Sequence, residues 1–382
     1  MDFTWTQDEN ALRDDLRSYI EDHMMPGWTH VHRDMPTADT VDEVIKFCKG
    51  LAERGLLTPQ WPAEYGGRGA SLWEQTVISE ELWGEGEPRG PQYMNVNWIG
   101  PAITQLGSEE QRQEYFGAIS AGEAMWCQGF SEPDAGSDLS ALKTSAERDG
   151  DHYIVNGQKI WTSYAHTADY CFLLVRTAKS DNPRRGISVL LVPMNLDGIE
   201  VREIPTIGVR HLVHEVFFRD VAVPAGCRLG EENEGWNIIR HLLASERVGN
   251  ARHEWIDRSL DRLIDEAIAD GTDTGDPRFW ETLGRAAAWA AASRVLNYAA
   301  VQAWSDGSSE YPNLAATYRT SMAQMELGTA YAFIDVLGPD ALLESSRGDY
   351  QLVSGTLSTI GGGSLEMQLN NVAWYQLGLP KG

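Results

Sequence analysis

The sequence predicts an α+β fold in three parts: a helical N-terminal domain, a central β domain and a C-terminal helical region. Three observations carry this prediction. Apolar residues recur at helical spacing over residues 1–122, the apolar period shortens toward two over 123–229, and helical spacing returns over 230–382. We therefore place the domain boundaries at these two changes of period.

Amphipathic helices account for most of the N-terminal domain. Leu12, Leu16, Tyr19 and Ile20 follow one face of "TQDENALRDDLRSYIEDHM", and "TVDEVIKFCKGLAERGLL" repeats the pattern with Gly55 as its stop. The segments "SLWEQTVISEELWGEG" and "EEQRQEYFGAISAGE" predict two further helices. The segment "PQWPAEYGGRG" between the two pairs of helices is predicted to be a loop because of its Pro and Gly content.

Short strands are predicted in the central domain. Asn156-Gly157 in "HYIVNGQKIWTSYA" is flanked by alternating residues and predicts a hairpin turn. The apolar runs "DYCFLLVRTA" and "ISVLLVPM" are typical of buried strands, and "HEVFFRDVAVP" alternates until Pro224.

Long helices return in the C-terminal region, where "DGTDTGDP" is the clearest linker. One of these helices carries Asp257, Asp261 and Asp265, which alternate with Arg258 and Arg262. This pattern predicts a solvated, salt-bridged helix face.

Composition excludes several classes of protein. With 31 basic and 56 acidic residues the net charge is −25, which argues against binding to nucleic acid or to an anionic membrane. We find neither a signal peptide nor the roughly 18 consecutive apolar residues of a spanning helix, so a cytoplasmic protein is expected. The four cysteines form no CxxC pair and predict no metal site. His211 and His214 are three apart on a predicted strand and would face opposite sides, so we reject a zinc site there as well.

Two polar segments carry candidate chemistry. "CQGFSEPDAGSDLSALKT" offers hydroxyls and free backbone N–H groups suited to an anionic or carbonyl-rich ligand, although composition alone favours a polar turn. In "NGQKIWTSYAHTADY", Trp161 precedes the hydroxyls of Thr162 and Ser163 and would suit a flat heteroaromatic ring. The alternative is a tryptophan of the core.

Together these segments resemble the acyl-CoA dehydrogenase family. "WCQGFSEPDAGSDL", "VNGQKIWTS", "HEVFFRDVAVP" followed by "GEENEGW", and "GGGSLEMQ" occur in that family's order, and the resemblance covers essentially the whole chain. It implies a central β-barrel or sandwich, a C-terminal four-helix bundle and FAD as the cofactor. It also implies α,β-dehydrogenation of an acyl-CoA, with electron-transfer flavoprotein as the electron acceptor.

The resemblance also assigns roles to single residues. Those assigned to FAD are Gln128, Phe130, Ser131, Trp161, Thr162, Ser163, Ser364 and Glu366. Those assigned to the acyl-CoA are Ser137, Arg247, Gly362 and Gly363. Within these sets, Trp161 is expected against the isoalloxazine ring, Ser163 near flavin N5 and Ser137 near the thioester.

The catalytic base is expected at Glu246. In many relatives a glutamate occupies the position of Gly362, which has no side chain here. Isovaleryl-CoA and long-chain acyl-CoA dehydrogenases instead carry it on a mid-chain helix before an arginine, which matches Glu246 and Arg247 in "HLLASERVGNAR". Gly362 would keep a backbone N–H for the thioester oxygen and leave space for a branched or bulky acyl group, such as a steroid side chain. The glycines can also be a flexible helix entry.

Several family features are missing. The usual Arg-x-x-Phe-Gly flavin-phosphate motif is absent, and Arg278 is the only arginine near its expected place. Leu369 stands where relatives commonly have an arginine. Such residues normally help one subunit hold its neighbour's FAD. Two assemblies therefore stay open: a homotetramer, and an α2β2 heterotetramer with a second chain of the family. A non-catalytic or half-site partner subunit is the alternative function, and an acyl-CoA oxidase or nitroalkane oxidase is a further enzymatic one.

Overall fold

The computed structural model describes residues 4–28, 38–207, 212–239, 251–269, 271, 274–343 and 347–380. Helices, then strands, then helices follow one another along the chain, which confirms the three-part layout. No helix in these described ranges is both long and apolar enough to cross a membrane.

The N-terminal helices pack into two apolar clusters, the second of which they share with the central domain. They are α1 (Gln7–His23), α2 (Ala38–Glu53), α3 (Leu72–Gly84), α4 (Gln92–Met94), which continues through a π-helical turn (Asn95–Ile99) into α5 (Gly100–Leu106), and α6 (Glu109–Ser120). Capping boxes begin three of them: Thr6 with Glu9, Ser71 with Glu74, and Ser108 with Gln111. Leu16 and Leu51 are fully buried in one of these clusters, as their helical spacing predicted, and Leu57, beyond the end of α2, is buried with them.

The central domain is one bent, mostly antiparallel sheet. Its strands are β1 (Trp126–Gly129), β2 (Ser145–Asp149), β3 (His152–Ser163), β4 (Tyr170–Arg176), β5 (Ile187–Pro193), β6 (Ile199–Glu203), β7 (Val213–Pro224) and β8 (Arg228–Leu229). The order in the described part is β6-β7-β3-β2-β4-β5-β8, and β1 pairs with β4 in parallel. Strands β4 and β5 are almost wholly buried, in agreement with their apolar runs.

The hairpin predicted at Asn156-Gly157 is wrong. The chain turns earlier, between β2 and β3 at Gly150, where φ is +59°. The Asn156 amide instead exchanges two hydrogen bonds with Asp220 on β7, each 2.9 Å long. Because of this cross-strand pairing, Asn156-Gly157 forms an irregularity within β3 and not a turn.

Long helices form the C-terminal region. They are α7 (Arg252–Ala269), α8 (Pro277–Ser305), α9 (Tyr311–Leu337), α10 (Arg347–Ser358) and α11 (Leu365–Asn371), after which a π-helical segment (Val372–Gln376) ends the helical chain. Residues 235–239 are also helical. Helices α7, α8 and α9 share a buried cluster that includes Leu263, Leu283, Tyr318, Met322 and Phe333.

A buried ionic network joins the two helical regions and corrects the prediction of a solvated α7 face. Arg258 binds Glu81 and Glu85 of α3 at 2.5 and 2.7 Å, and Arg262 binds Glu85 at 2.5 Å. Asp261 and Asp265 are exposed as predicted, whereas Asp257 is half-buried and pairs with Arg294. Arg258 and Arg262 therefore act as cross-links between domains, because α7 packs along α3 and excludes solvent from that side.

Candidate functional site

Strand β1 delivers the first group of residues assigned to FAD. Gln128 lies opposite Phe172 in the parallel pairing of β1 with β4, and its amide Nε2 is buried without a hydrogen-bond partner among the described residues. Phe130 is partly buried, and its ring centroid lies 6.0 Å from that of Phe172. The strand thus leaves one donor, Gln128 Nε2, available for a ligand.

A buried ion pair joins the "SEPDAGSD" loop to the "GQKIWTS" strand. Lys159 Nζ lies 2.8 Å from Glu132 Oε1 and donates to the carbonyl of Phe130 at 3.0 Å. The backbone N–H groups of Lys143 and Thr144 also donate to the Glu132 carboxylate, at 2.6 and 2.9 Å. Both partners are almost fully buried, with 0% and 7% of the side chains exposed. This arrangement fixes the loop on β3.

The electrostatics of this pair favour the charged state of Glu132. Burial raises the pKa of its carboxyl, but the Lys159 ammonium and the donated hydrogen bonds outweigh burial and lower that pKa. Burial also lowers the pKa of Lys159, against the attraction of Glu132. Sequence reasoning did not predict this ion pair. The available signal was one acidic and one basic residue, each within a motif specific to the family.

Trp161 lies on a bulge of β3. Lys159 pairs with Val216 and Thr162 with His214, so β3 has one more residue than β7 between these pairs. Ile160 N–H leaves the ladder and donates to the Ser131 carbonyl at 2.9 Å. Trp161 has a φ of +60°, in the left-handed region that costs a non-glycine residue about 1–2 kcal/mol. Its indole is consequently held out of the ladder, with 57% of the residue exposed.

Thr162 and Ser163 return the chain to the ladder opposite β7. Thr162 is 1% exposed, and its hydroxyl Oγ1 has no partner among the described residues. The Thr162 carbonyl lies 3.3 Å from Nδ1 of His214, whose ring stacks on His166 at 4.5 Å. Thr162 Oγ1 is therefore a second buried polar atom, close in sequence to the exposed indole, that a ligand would satisfy.

These buried atoms suit a flavin. A flat ring against Trp161 would meet an apolar face, and its polar edge needs donors and acceptors of the kind that Gln128 Nε2 and Thr162 Oγ1 supply. The residues on β1 and β3 therefore fit an isoalloxazine ring and its pyrimidine edge. Ser137 lies exposed on the same loop as Ser131, outside this buried part.

The C-terminal glycines form a turn before α11, and hydrogen bonds from another helix fix its position. Gly362 and Gly363 have φ of +66° and +90°, and a Cβ on Gly363 would lie 2.8 Å from Gln368 Nε2. Arg319 of α9 donates to the carbonyls of Ser358, at 2.7 Å, and of Gly361. The position of the segment thus depends on a buried arginine that sequence reasoning missed.

The two residues after the glycines differ in their surroundings. Ser364 caps α11, because its hydroxyl accepts a hydrogen bond from Met367 N–H at 3.3 Å. Glu366 is exposed in the first turn of α11. The described contacts bring the residues of β1 and β3 together, whereas the glycine segment packs against α9. Glu246 and Arg247, the predicted base and its neighbour, lie outside the described residues.

A polar cluster where the three regions meet was also missed. Arg252, at the start of α7, donates from Nη1 to both Glu326 oxygens at 3.1 and 3.0 Å, and its guanidinium lies 4.5 Å from the Trp83 ring centroid. Tyr164 follows Ser163 directly, and burial raises its pKa to about 12 although nearby Arg252 opposes the shift. The arginine keeps 28% of its side chain accessible to solvent.

No group of three or more His, Cys, Asp or Glu residues among the described residues is arranged to hold a metal ion. The arrangement on β1 and β3 suits an organic ring. Comparison of the whole chain with known proteins indicates which reaction such a ring would serve.

Three family models match the chain in order. The acyl-CoA dehydrogenase N-terminal domain matches residues 6–123, the middle domain residues 127–221 and the C-terminal domain residues 233–375. The chain belongs to the acyl-CoA dehydrogenase family. It is a flavin-dependent oxidoreductase that acts on a CH–CH bond. The resemblance inferred from the sequence motifs is confirmed.

Relatives and solved structures agree with this assignment over their full length. Acyl-CoA dehydrogenase FadE26 of Mycobacterium tuberculosis is 32% identical, over 100% of this chain and 99% of the relative. Acyl-CoA dehydrogenase IpdE1 of the same organism is 31% identical over 98% and 99%. The Tcur3481-Tcur3483 steroid ACAD superposes with a TM-score of 0.91 at 30% identity, and the ChsE4-ChsE5 complex from M. tuberculosis with 0.87 at 30%, each over 100% of both chains.

Proposed function

We propose that this acyl-CoA dehydrogenase binds FAD on β1 and β3 and dehydrogenates a branched or bulky acyl-CoA, with Glu246 as the base. One observation carries the proposal. Gln128 Nε2 and Thr162 Oγ1 are buried and without partners among the described residues, in segments that also hold the exposed, strained Trp161. Unsatisfied buried polar atoms are rare in folded proteins and call for a partner.

The FAD ring would lie against Trp161, with its polar edge toward Gln128 and Thr162. Ser163, Phe130 and Ser131 complete the residues that we assign to the ring. When bound, FAD would accept the hydride from the substrate β-carbon, and this is the chemistry that the cofactor would supply. The Glu132–Lys159 pair acts indirectly, since it holds both segments in place.

Proton removal is the task that we assign to Glu246. The support is its place before Arg247 in the helix where some relatives carry their base, together with Gly362 at the usual position. The Gly362 N–H is available in this proposal to bind the thioester oxygen and stabilise the enolate-like charge.

The acyl group would then approach Arg252 and Tyr164, which lie near each other. No side chain projects from Gly362, so a branched α-carbon is accommodated on that side. Two of the similar structures are named as a steroid ACAD and as a ChsE4-ChsE5 complex, and these names support a steroid side chain as the substrate class and an assembly of two different chains.

A specific observation favours the second candidate function, a half-site partner subunit. Arg278, the only arginine near the missing flavin-phosphate motif, is 87% exposed and pairs with Asp276 at 2.6 Å. Ser364 and Glu366 would reach the FAD pyrophosphate or adenosine, in this subunit or across an interface. Tyr375 and Leu377, 61% and 66% exposed, lie just beyond and would be covered by such a partner. Electron-transfer flavoprotein remains the acceptor that we propose.

The test is anaerobic flavin bleaching by isovaleryl-CoA, butyryl-CoA and a CoA-activated steroid side chain. Glu246→Gln should keep its flavin but lose roughly 100-fold or more of the bleaching rate, the range for removal of a general base. Glu231→Gln, which changes an exposed acid 15 residues earlier in the chain, is the matched control. Retention of most activity by Glu246→Gln would remove it as the base.

A second measurement separates the two candidates. The chain is purified alone and with the products of neighbouring genes, and FAD per chain is read from the flavin absorbance. One FAD per chain in the chain purified alone excludes a shared site. No flavin alone, but half a flavin per chain in a mixed complex, supports the half-site subunit.

A further inference from the structure

A cavity lies between the two helical regions, and no residue of β1 or β3 lines it. It has a volume of about 260 Å³ and is lined by residues 60–62, the π-helical turn, and helices α3, α5 and α8. Its lining is largely apolar: Trp61, Pro62, Leu72, Pro101, Val301 and Trp304. A water molecule occupies about 30 Å³ in the liquid, so the cavity is several times larger than a site for one bridging water.

Polar atoms without partners border this cavity. Asn297 of α8 is 1% exposed, and neither its Oδ1 nor its Nδ2 has a hydrogen-bond partner among the described residues. Gln60 Oε1 and Trp61 Nε1 are likewise buried and unpartnered within that set. Two donors and two acceptors thus stay unsatisfied around one apolar space, at a cost of about 1–3 kcal/mol each if nothing binds them.

Other polar lining residues are already engaged. The hydroxyls of Thr76 and Thr104 donate to the carbonyls of Leu72 and Gly100, at 2.7 and 2.9 Å. Asn97 Nδ2 donates to a carbonyl of its own helix at 3.0 Å. The Asn297 amide is therefore the polar group best placed to anchor a ligand.

The donor and acceptor pattern restricts the ligand. A side-chain amide pairs best with a group that carries a carbonyl beside an N–H or O–H, because both of its atoms are then satisfied at once. None of the lining residues is charged, so an ionised ligand would be buried without a counter-charge. The apolar walls require an apolar body.

We propose that this cavity is a binding site for a compact, uncharged apolar molecule bearing a carboxamide, lactam or un-ionised carboxyl group, with Asn297 as its anchor. The site shares no residue with those that we assign to FAD or acyl-CoA, and it goes beyond the proposed dehydrogenation. It brings together α3, α5 and α8, so an occupant adds contacts between the N-terminal and C-terminal helical regions.

The site is also next to the contacts that fix the start of α7. Tyr298 follows Asn297, and its hydroxyl donates to Glu80 at 2.6 Å. The same carboxylate oxygen of Glu80 accepts from His253 of α7 at 3.1 Å. An occupant that orders α8 at Asn297 therefore also orders the helix that follows the segment carrying Glu246.

The experiment uses the purified holoprotein and cyclohexanecarboxamide as the probe, with ionised cyclohexanecarboxylate at pH 7.5 as the matched negative ligand. We expect calorimetric binding of the amide and a rise in Tm, and neither effect from the carboxylate. Asn297→Leu should weaken binding of the amide roughly tenfold, since both anchoring hydrogen bonds are lost. Gln302→Leu on the same helix is the control, because Gln302 bonds Asp306 and does not line the cavity.

Val301→Met fills part of the cavity without touching the amide and provides a second variant should Asn297→Leu fold poorly. It should also weaken binding. Absence of binding to the wild-type protein overturns the proposal, as does equal binding to all variants. A crystal soaked in the amide that contains only ordered water in the cavity overturns it too.

Discussion

Two buried polar regions of this protein are built in opposite ways. At the α1–α3–α7 contact, Glu80 and Glu81 are 2% and 0% exposed, and each of their carboxylate oxygens has a partner. On β1 and β3, Gln128 and Thr162 have buried atoms without partners in the described chain, beside a tryptophan in a costly conformation.

This difference indicates that the first region stabilises the fold and that the second binds a ligand. A buried carboxylate surrounded by arginines contributes to holding domains together, and removing one partner leaves the others uncompensated. Buried polar atoms left open, beside backbone strain, are typical of a surface that awaits a ligand. The four predictions below test whether the first region governs stability and the second governs cofactor binding.

The largest effect is expected from Glu81→Leu. Glu81 is fully buried and binds Arg17 at 2.8 Å and Arg258 at 2.5 Å, so its replacement removes a carboxylate that several arginines share. Since Arg258 keeps its ion pair with Glu85, we expect a loss of about 3–4 kcal/mol in the free energy of unfolding, the lower part of the range for a broken buried pair. Urea denaturation of the holoprotein measures it. Glu281→Leu, whose ion pair with Arg285 is 71% and 63% exposed, should cost less than about 1 kcal/mol. Equal losses would contradict the assignment of the network.

A pH effect of nearly this size is expected from Glu80. Burial raises its pKa, but hydrogen bonds from His253, Tyr298 and Arg13 outweigh burial and hold the pKa at about 2, against an ordinary value of 4.5. The contribution is present above pH 4.5 and is lost as the pH falls toward 2, in total about 3 kcal/mol at 1.36 kcal/mol per unit.

Tm is therefore measured between pH 6 and pH 3 for the wild type and for Glu80→Gln. The wild type should lose stability more steeply, because only it has this carboxylate to protonate. Parallel curves for the two proteins would show that Glu80 is not the responsible group.

Lys159→Met should have a smaller effect on stability and a clear one on the cofactor. Glu132 would lose its ammonium partner but keep two backbone N–H donors, so we expect a loss of about 2 kcal/mol. The loop that carries Phe130 and Ser131 loosens, and FAD content should fall. Lys143→Met removes only an ion pair that is 73% and 78% exposed and should leave the FAD-to-protein absorbance ratio unchanged.

The smallest effect on stability is expected at Trp161, where a glycine should be more stable than an alanine. Trp161→Gly should make the flavin-free protein more stable than Trp161→Ala by about 1 kcal/mol, because only glycine adopts a φ of +60° at little cost. Both variants lose the indole and should bind FAD more weakly than the wild type. Equal stability of the Gly and Ala variants would show that the bulge relaxes when the indole is removed.

Sequence motifs predicted the residues that we propose for the flavin face, but not how they are held. Gln128, Trp161 and Thr162 lie in motifs specific enough to be recognised without a structure. Their arrangement depends on Glu132 and Lys159, which are 27 residues apart in the chain, and on a bulge set by the register with β7. Local sequence patterns do not report such pairings.

Misplaced expectations have the same origin. Asn156-Gly157 has the composition of a turn, but the Asn156 side chain forms a hydrogen bond with Asp220, 64 residues away. The strand therefore continues through this position. Arg258 and Arg262 have the spacing of a solvated helix face, but α3 covers them with Glu81 and Glu85. In each case a distant partner overrode the local preference.

Sequence alone determined the helix–strand–helix order, the family and the absence of a glutamate at Gly362, because periodicity and motif order are properties of the chain itself. Tertiary structure decided which polar groups are satisfied: the Glu81 network, the Glu132–Lys159 pair, the open atoms of Gln128 and Thr162, and the unpartnered amide of Asn297. The reason is physical, since a hydrogen bond or an ion pair depends on distance in space, and only folding brings residues from separate segments within that distance.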